Sequence, residues 1–275
     1  MVMTYGIEVP EPLPPDISFA YGGHERHVAD VWHAKDATGP APLVLAIHGG
    51  AWRAGDKALD TCFWKQSYFP AKGFTLAAIN YRLVPESTVE QQAEDAANAL
   101  AAMLGRADEL GIDPTRVVLL GHSAGAHLAC LLGTDESWLR AAGLSFANIA
   151  GVIGNDGACY DVAMQIEHIM PPWRGSFFEA FGEEPGRQRR LSPNCHTDGT
   201  NAPAFLLLHM PERPESGIVQ ANNLADAVRA TGSTARVVQV EAQGDTAHHE
   251  LNLLLGKPGH GSTIAVDAWL DEQFG

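Results

Sequence analysis

The chain has 275 residues, 45% hydrophobic and 19% charged. This is the make-up of a globular protein with a substantial core, and it excludes disorder, collagen and coiled coil. Against 33 acidic residues stand 18 Lys and Arg, giving a formal net charge of −15, a field that repels nucleic acid and anionic membrane surfaces. The four cysteines, Cys62, Cys130, Cys159 and Cys195, form no CxxC pair, so a zinc ribbon or thioredoxin site is not expected. The N-terminus shows no basic and apolar leader, and no apolar run is long enough to span a bilayer. The expectation is a reduced, cytoplasmic protein with no nucleic-acid or membrane partner and no cofactor or metal.

Residues 1–20 are Pro-rich and read as an extended arm. Arg26–His33 alternates apolar and polar residues, as an exposed strand does. Leu43–Ile47 is a continuous apolar run, as expected for a parallel strand covered on both faces. A helix is predicted over Thr61–Lys72, a strand over Phe74–Asn80 and an Ala-rich helix over Val89–Leu110. Then come a strand at Val117–Leu120, a helix over Ser123–Gly133 and a strand at Ile149–Asn155. After residues 157–202, which lack clean periodicity and read as a cap or lid insertion, a strand is predicted at Ala204–His209. A helix over Val219–Thr231, a strand at Ala235–Glu241 and a helix over Thr263–Phe274 complete the chain. Alternating strands and helices predict one α/β domain over 1–275 with a mostly parallel sheet.

Two short motifs carry the chemistry. Gly121-His122-Ser123-Ala124-Gly125 fits G-x-S-x-G, between a strand ending at Leu120 and an apolar helix. A sharp strand-to-helix turn there would strain Ser123, expose its hydroxyl, and need glycine on both flanks so that backbones can approach. An N-cap serine is the plainer reading, but it does not require both glycines. His48-Gly49-Gly50-Ala51-Trp52 follows the strand Leu43–Ile47. Beside such an elbow, its backbone N–H groups can face a carbonyl oxygen, so Gly50, Ala51 and Ala124 are assigned as oxyanion donors. His48 is assigned to shaping that loop.

Taken together and in this order, HGGAW, NYRLVPE (Asn80–Glu86), GHSAGAHLA around Ser123, and HHELN followed by GKPG resemble the α/β-hydrolase carboxylesterases. The branch is that of hormone-sensitive-lipase-like esterases and kynurenine formamidases, and the resemblance spans most of residues 40–275. It implies an α/β-hydrolase fold, a Ser–His–acid mechanism and a small short-chain ester or formamide substrate.

In that fold the chain order is Ser, acid, His. The base is assigned to His248, after the last strand, because His248, Leu251 and Asn252 match the family's His-x-x-aliphatic-Asn pattern; the neighbouring His249 is set aside. A metal site at His248-His249-Glu250 is rejected, since HExxH is absent. The acid is expected after the strand Ala204–His209. Family members carry Asp there, whereas this chain offers Glu212 and Glu215; counting from the strand end favours Glu212. Trp52, Tyr160 and Trp173 are candidates for lining the substrate pocket, and Arg82 with Asp95 for a buried ion pair. The function expected is ester hydrolysis through an acyl-serine, with a homodimer as the candidate assembly. An arylformamidase and a catalytically silent binding protein are the alternatives.

Overall fold

A computed structural model describes the chain except residues 61–62, 212–214 and 243, and except the side chains of Leu59, Asp60, Pro172, Trp173, Glu215 and Ser216. The described residues form ten strands: β1 (Val2–Thr4), β2 (Ile7–Val9), β3 (Ile17–Ala20), β4 (Val28–Trp32), β5 (Ala41–Ile47), β6 (Thr75–Ile79), β7 (Ile112–His122), β8 (Ile149–Asn155), β9 (Ala204–His209) and β10 (Thr234–Gln239). The first two make a separate hairpin. The other eight form one sheet in the order β10-β9-β8-β7-β5-β6-β4-β3. Pairing is parallel from β10 through to β6, and antiparallel where β4 joins β6 and β3 joins β4.

The central strands carry apolar residues on both faces because helices cover both. Leu43, Leu45 and Ile47 of β5 enter one core and Val44 and Ala46 the other. Val117 and Leu119 of β7 divide from Val118 and Leu120 in the same way. This two-sided burial erases the alternation a half-exposed strand would show. The chain leaves β5 for β6 on one side, then returns to place β7 on the other. Such a reversal opens a crevice at the carboxyl ends of the strands. The loops following β5 and β7, which carry the two glycine motifs, meet there.

Several expectations change. Strand β4 is covered by β3 on one side and β6 on the other, and its residues 29–32 are buried, so it is interior rather than exposed. The start of the helix expected over 61–72 lies outside the described residues; the helix itself runs Lys65–Ala71. The Ala-rich helix ends at Leu104, and a separate short one follows at Ala107–Leu110.

The N-terminal segment is not a plain arm. Tyr5 and Gly6, both with positive φ, close the β1–β2 hairpin, the two-residue turn that suits strand twist. Residues 157–202 hold helices Val162–His168, Pro171–Phe181 and Pro185–Arg190. Their helical spacing is masked in the sequence by the Pro, Gly and Arg residues between the apolar positions. The insertion is tied to the body: Arg187 forks onto Glu90 at 2.7 and 2.8 Å, and Arg53 reaches Glu179 at 3.2 Å. Burial pushes the Glu90 carboxyl up, but Arg187, a backbone hydrogen bond and Arg190 together outweigh it and hold the group at about 2. Among the described residues, no helix is long and apolar enough to cross a membrane.

Candidate active site

Ser123 sits between β7 and the helix Ala124–Thr134 with φ 55° and ψ −118°. An L-residue adopts this conformation only under strain, on the order of 1–3 kcal/mol. The surroundings impose it. The Ser123 N–H donates to the Asn155 carbonyl on β8 at 3.1 Å, and its own carbonyl accepts from Ala126 and His127 at 3.0 and 3.2 Å. The flanking glycines are sterically required. A Cβ on Gly121 would lie 2.0 Å from the Gly125 carbonyl oxygen, and one on Gly125 would lie 2.1 Å from that of Ile47. The Ser123 hydroxyl is left without a hydrogen bond among the described residues.

The loop after β5 runs through three successive positive φ values: Gly50 at 117°, Ala51 at 51° and Trp52 at 62°. The Gly50 carbonyl turns inward to accept from Arg53 and Ala54 at 3.1 and 2.9 Å. A Cβ on Gly49 would stand 3.1 Å from the Cβ of Ser123, so this loop lies directly against the elbow. The N–H groups of Gly50 and Ala51, and that of Ala124 at the start of its helix, donate to no other group among the described residues.

His48 shapes the loop. Its Nδ1–H donates to the Gly49 carbonyl at 2.6 Å, and its ring stacks on Tyr81 at 4.2 Å. The Tyr81 hydroxyl donates to the His48 carbonyl at 2.8 Å. Burial pushes the His48 pKa down to about 4, against the opposing pull of the Gly49 bond, so the ring is neutral.

Trp52 and Tyr160 do not line an open pocket: each is only 2% exposed. The Trp52 indole N–H donates to His127 Nδ1 at 3.2 Å, and His127 Nε2–H donates in turn to the Leu191 carbonyl at 2.7 Å. Phe181 meets the Trp52 ring edge-on at 4.7 Å. Trp52 is thus a core bolt joining the loop to the insertion. Tyr160 packs its ring close to Gly154 and Gly157, where an added Cβ would fall 2.4 and 2.2 Å from its hydroxyl oxygen. Large aromatics at strand ends serve the core before they serve a ligand. The Trp173 side chain lies outside the described residues.

His248 lies on the helix Ala247–Leu253, where the sequence reading expected a loop. Its Nδ1–H donates to Oδ2 of Asp156 at 2.6 Å, and the Asp156 side chain is fully buried. Asp156 follows β8, not β9, and has a φ of 48°. Its backbone N–H donates to the Leu208 carbonyl of β9 at 2.8 Å, and its Oδ1 accepts from the Met210 N–H at 3.2 Å. The carboxylate facing the imidazole is therefore Asp156, in place of the expected Glu212, which lies outside the described residues. The segment after β9 contributes a backbone donor to that carboxylate.

The signal for Asp156 was present in Gly154-Asn155-Asp156-Gly157, an acidic residue one step beyond a buried strand, before the histidine in chain order. The family pattern, which places the acid after the next strand, points away from it. His249 points elsewhere and stacks on Tyr5 of the N-terminal hairpin, with centroids 3.9 Å apart.

Arg82 and Asp95 do pair. Arg82 Nη2 and Nε donate to Asp95 Oδ1 and Oδ2 at 2.6 and 2.9 Å, and the Arg82 backbone N–H donates to Oδ2 at 2.9 Å. The pair ties the turn after β6 to the helix Val89–Leu104. Both sides of that junction hold the loop after β5, since the Trp52 carbonyl accepts from Val84 N–H at 3.0 Å and from Gln92 Nε2 at 2.7 Å.

Residues 29–162 match the family model described as BD-FAE. The chain is 28% identical over 280 residues to the "probable isoprenylcysteine alpha-carbonyl methylesterase" of Arabidopsis thaliana, covering 94% of this chain and 54% of that protein. It is 29% identical over 266 residues to esterase LipC of Mycobacterium tuberculosis, covering 92% and 64%. The chain thus spans little more than half the length of the first of these relatives and under two thirds of the second. Esterase B from Lactobacillus rhamnosis superposes with a TM-score of 0.73 at 20% identity, over 95% of this chain and 87% of that one. A truncated carbohydrate esterase from gut microbiota gives 0.75 at 19% identity, over 97% and 99%. Those two likenesses show the fold. Fold, motif order and relatives agree: the chain has the α/β-hydrolase fold and is similar along most of its length to carboxylesterase-type esterases.

Proposed function

We propose that the protein hydrolyses small carboxylic esters through an acyl-serine intermediate, with Ser123 as nucleophile, His248 as base and Asp156 as the acid. The observation that carries this reading is the 2.6 Å bond from His248 Nδ1 to the buried Asp156 carboxylate, together with a strained serine whose hydroxyl makes no hydrogen bond among the described residues. That bond fixes the proton on Nδ1 and leaves Nε2 with its lone pair, the tautomer a general base needs. Contacts between base and nucleophile are often long in an unliganded site and close with substrate bound. His248 Nε2 takes the Ser123 proton as Oγ attacks the carbonyl carbon. The oxyanion is held by the N–H groups of Gly50, Ala51 and Ala124, and the helix that begins at Ala124 adds its positive end. His248 returns the proton to the departing alcohol. Water, deprotonated by the same imidazole, then releases the acid.

Relatives along 92–94% of the chain are named as a methylesterase and an esterase, which supports ester over amide chemistry. The test is a burst assay on p-nitrophenyl acetate with mass analysis after phosphonate treatment. A stoichiometric burst and a label on Ser123 are expected, with turnover reduced about a million-fold in Ser123→Ala. No burst, or a label elsewhere, removes the reading. A panel of acyl lengths should favour short chains.

A further inference from the structure

We infer that His122, the residue before the nucleophile, is a positioning residue for the base: it holds His248 by the backbone while its own ring braces the His248 imidazole. The inference rests on the reading of His248 as base. Its Nε2–H donates to the His248 carbonyl at 2.9 Å, a bond between residues 126 apart in sequence. The two rings lie 4.5 Å apart between centroids, tilted by 36°. On its other side the His122 ring meets the oxyanion loop, where a Cβ on Gly49 would fall 3.1 Å from His122 Nδ1. One imidazole therefore fills the space between oxyanion loop, nucleophile elbow and base.

The base needs such a hold. It sits on a seven-residue helix, too short to be stable by itself, so its placement comes from tertiary contacts. Three carbonyls of this helix accept from buried side chains. His122 takes that of His248, Asn155 Nδ2 donates to that of Leu251 at 3.0 Å, and Lys65 Nζ donates to that of Asn252 at 2.5 Å. Of the three, His122 alone binds the residue that carries the imidazole. The Asp156 bond fixes one ring nitrogen but leaves the ring free to pivot about it. The carbonyl bond and the ring contact remove that freedom and keep Nε2 directed at one place.

The donor role requires a neutral His122 with its proton on Nε2. Burial drives the ring toward neutrality, and the nearby His248 and Lys65 oppose a second proton. Asp156 pulls the other way without overcoming the burial.

The test is steady-state kinetics on p-nitrophenyl acetate with His122→Phe, His122→Asn and His248→Ala in one series. The Phe variant keeps a ring and loses the donor. Its kcat should fall about 10- to 100-fold, the scale of a catalytic group displaced by an ångström, with KM nearly unchanged. The Asn variant, whose amide can reach the same carbonyl, should recover part of that loss. A wild-type kcat in the Phe variant, a change confined to KM, or a loss that Asn does not relieve overturns the proposal. An active His248→Ala overturns the reading of the base instead.

Because position 122 is buried, nitrogen NMR of the wild-type imidazoles supplies a measurement that needs no variant. His122 should be neutral at pH 7, with a slowly exchanging proton on Nε2. A cationic ring, or a proton on Nδ1, overturns the proposal.

Discussion

The Ser123 side of the candidate site and the His248 side are held by different kinds of force. Around Ser123 and the loop 48–55 the structure is enforced by crowding between backbones: glycines whose added Cβ would lie 2.0–2.2 Å from carbonyl oxygens, and residues driven to positive φ. Around His248 it is enforced by side chains that cross the molecule. His122, Asp156, Asn155 and Lys65 reach into one short helix from sequence separations of 126, 92, 96 and 187 residues. Steric exclusion is written into neighbouring residues. Hydrogen bonds of long range are written nowhere in particular, and many polar residues could supply them. The first side is therefore bound to its motifs, while on the second the carboxylate that meets His248 is set by packing between distant strands.

The sharpest way to break this comparison is on the base side. Asp156→Asn should lower kcat on p-nitrophenyl acetate by about 10,000-fold, because the amide favours the wrong imidazole tautomer. Glu212→Gln should stay close to wild type. Equal losses in the two would mean that the carboxylate seen against His248 is not the one that acts.

On the nucleophile side, Gly125→Ala forces a methyl to 2.1 Å from the Ile47 carbonyl oxygen. A loss of about 4–5 kcal/mol in urea unfolding is expected, with activity gone. A mild effect would show that the elbow can relax and that crowding does not set its shape.

Between the two sides lies the Arg82–Asp95 brace. Asp95 is 1% exposed, so Asp95→Ala strands a guanidinium and should cost about 3–5 kcal/mol. An exposed control, Asp108→Ala, should change stability by no more than about 0.5 kcal/mol. Equal costs end the idea of a brace.

The smallest effect per residue is in acid. His48 and His127 are neutral in the fold, each pushed by burial down to about 4 from an ordinary 6.5. Below pH 6.5 the unfolded chain takes up protons that the native state refuses. Their stabilising contribution is thus complete above that pH and drains away as pH falls toward 4. The loss is at most about 3 kcal/mol for each. Urea unfolding at pH 7 and 4.5 checks this, and His127→Gln should flatten the slope by its share. An unchanged slope would place the acid sensitivity elsewhere.

Much of the scaffold was legible along the chain. Leu43–Ile47 reads as a buried parallel strand, Val117–Leu120, Ile149–Asn155 and Ala204–His209 read as strands, and all lie in the sheet. The helices of residues 157–202 did not show, because Pro171, Pro172, Gly175 and the arginines break the apolar period while Phe181 and Leu191 carry the burial. Trp52 and Tyr160 looked available to a ligand, and the fold spends them on packing. Exposure is a property of neighbours, and those neighbours come from distant parts of the chain.

What the sequence determined by itself is whatever depends on adjacent residues: the strained elbow at Ser123, the loop beginning at His48, and the strand-to-helix rhythm that places both at one edge of the sheet. Only the tertiary structure decided which carboxylate meets His248 and what steadies that histidine. Strand pairing sets Asn155 beside His122 and carries Asp156 just beyond the sheet edge. The base helix has no lasting position until β7, β8 and the helix Lys65–Ala71 have closed around it. A local motif needs only its own sterics, whereas a hydrogen-bonded chain of distant groups exists only after packing has fixed every member.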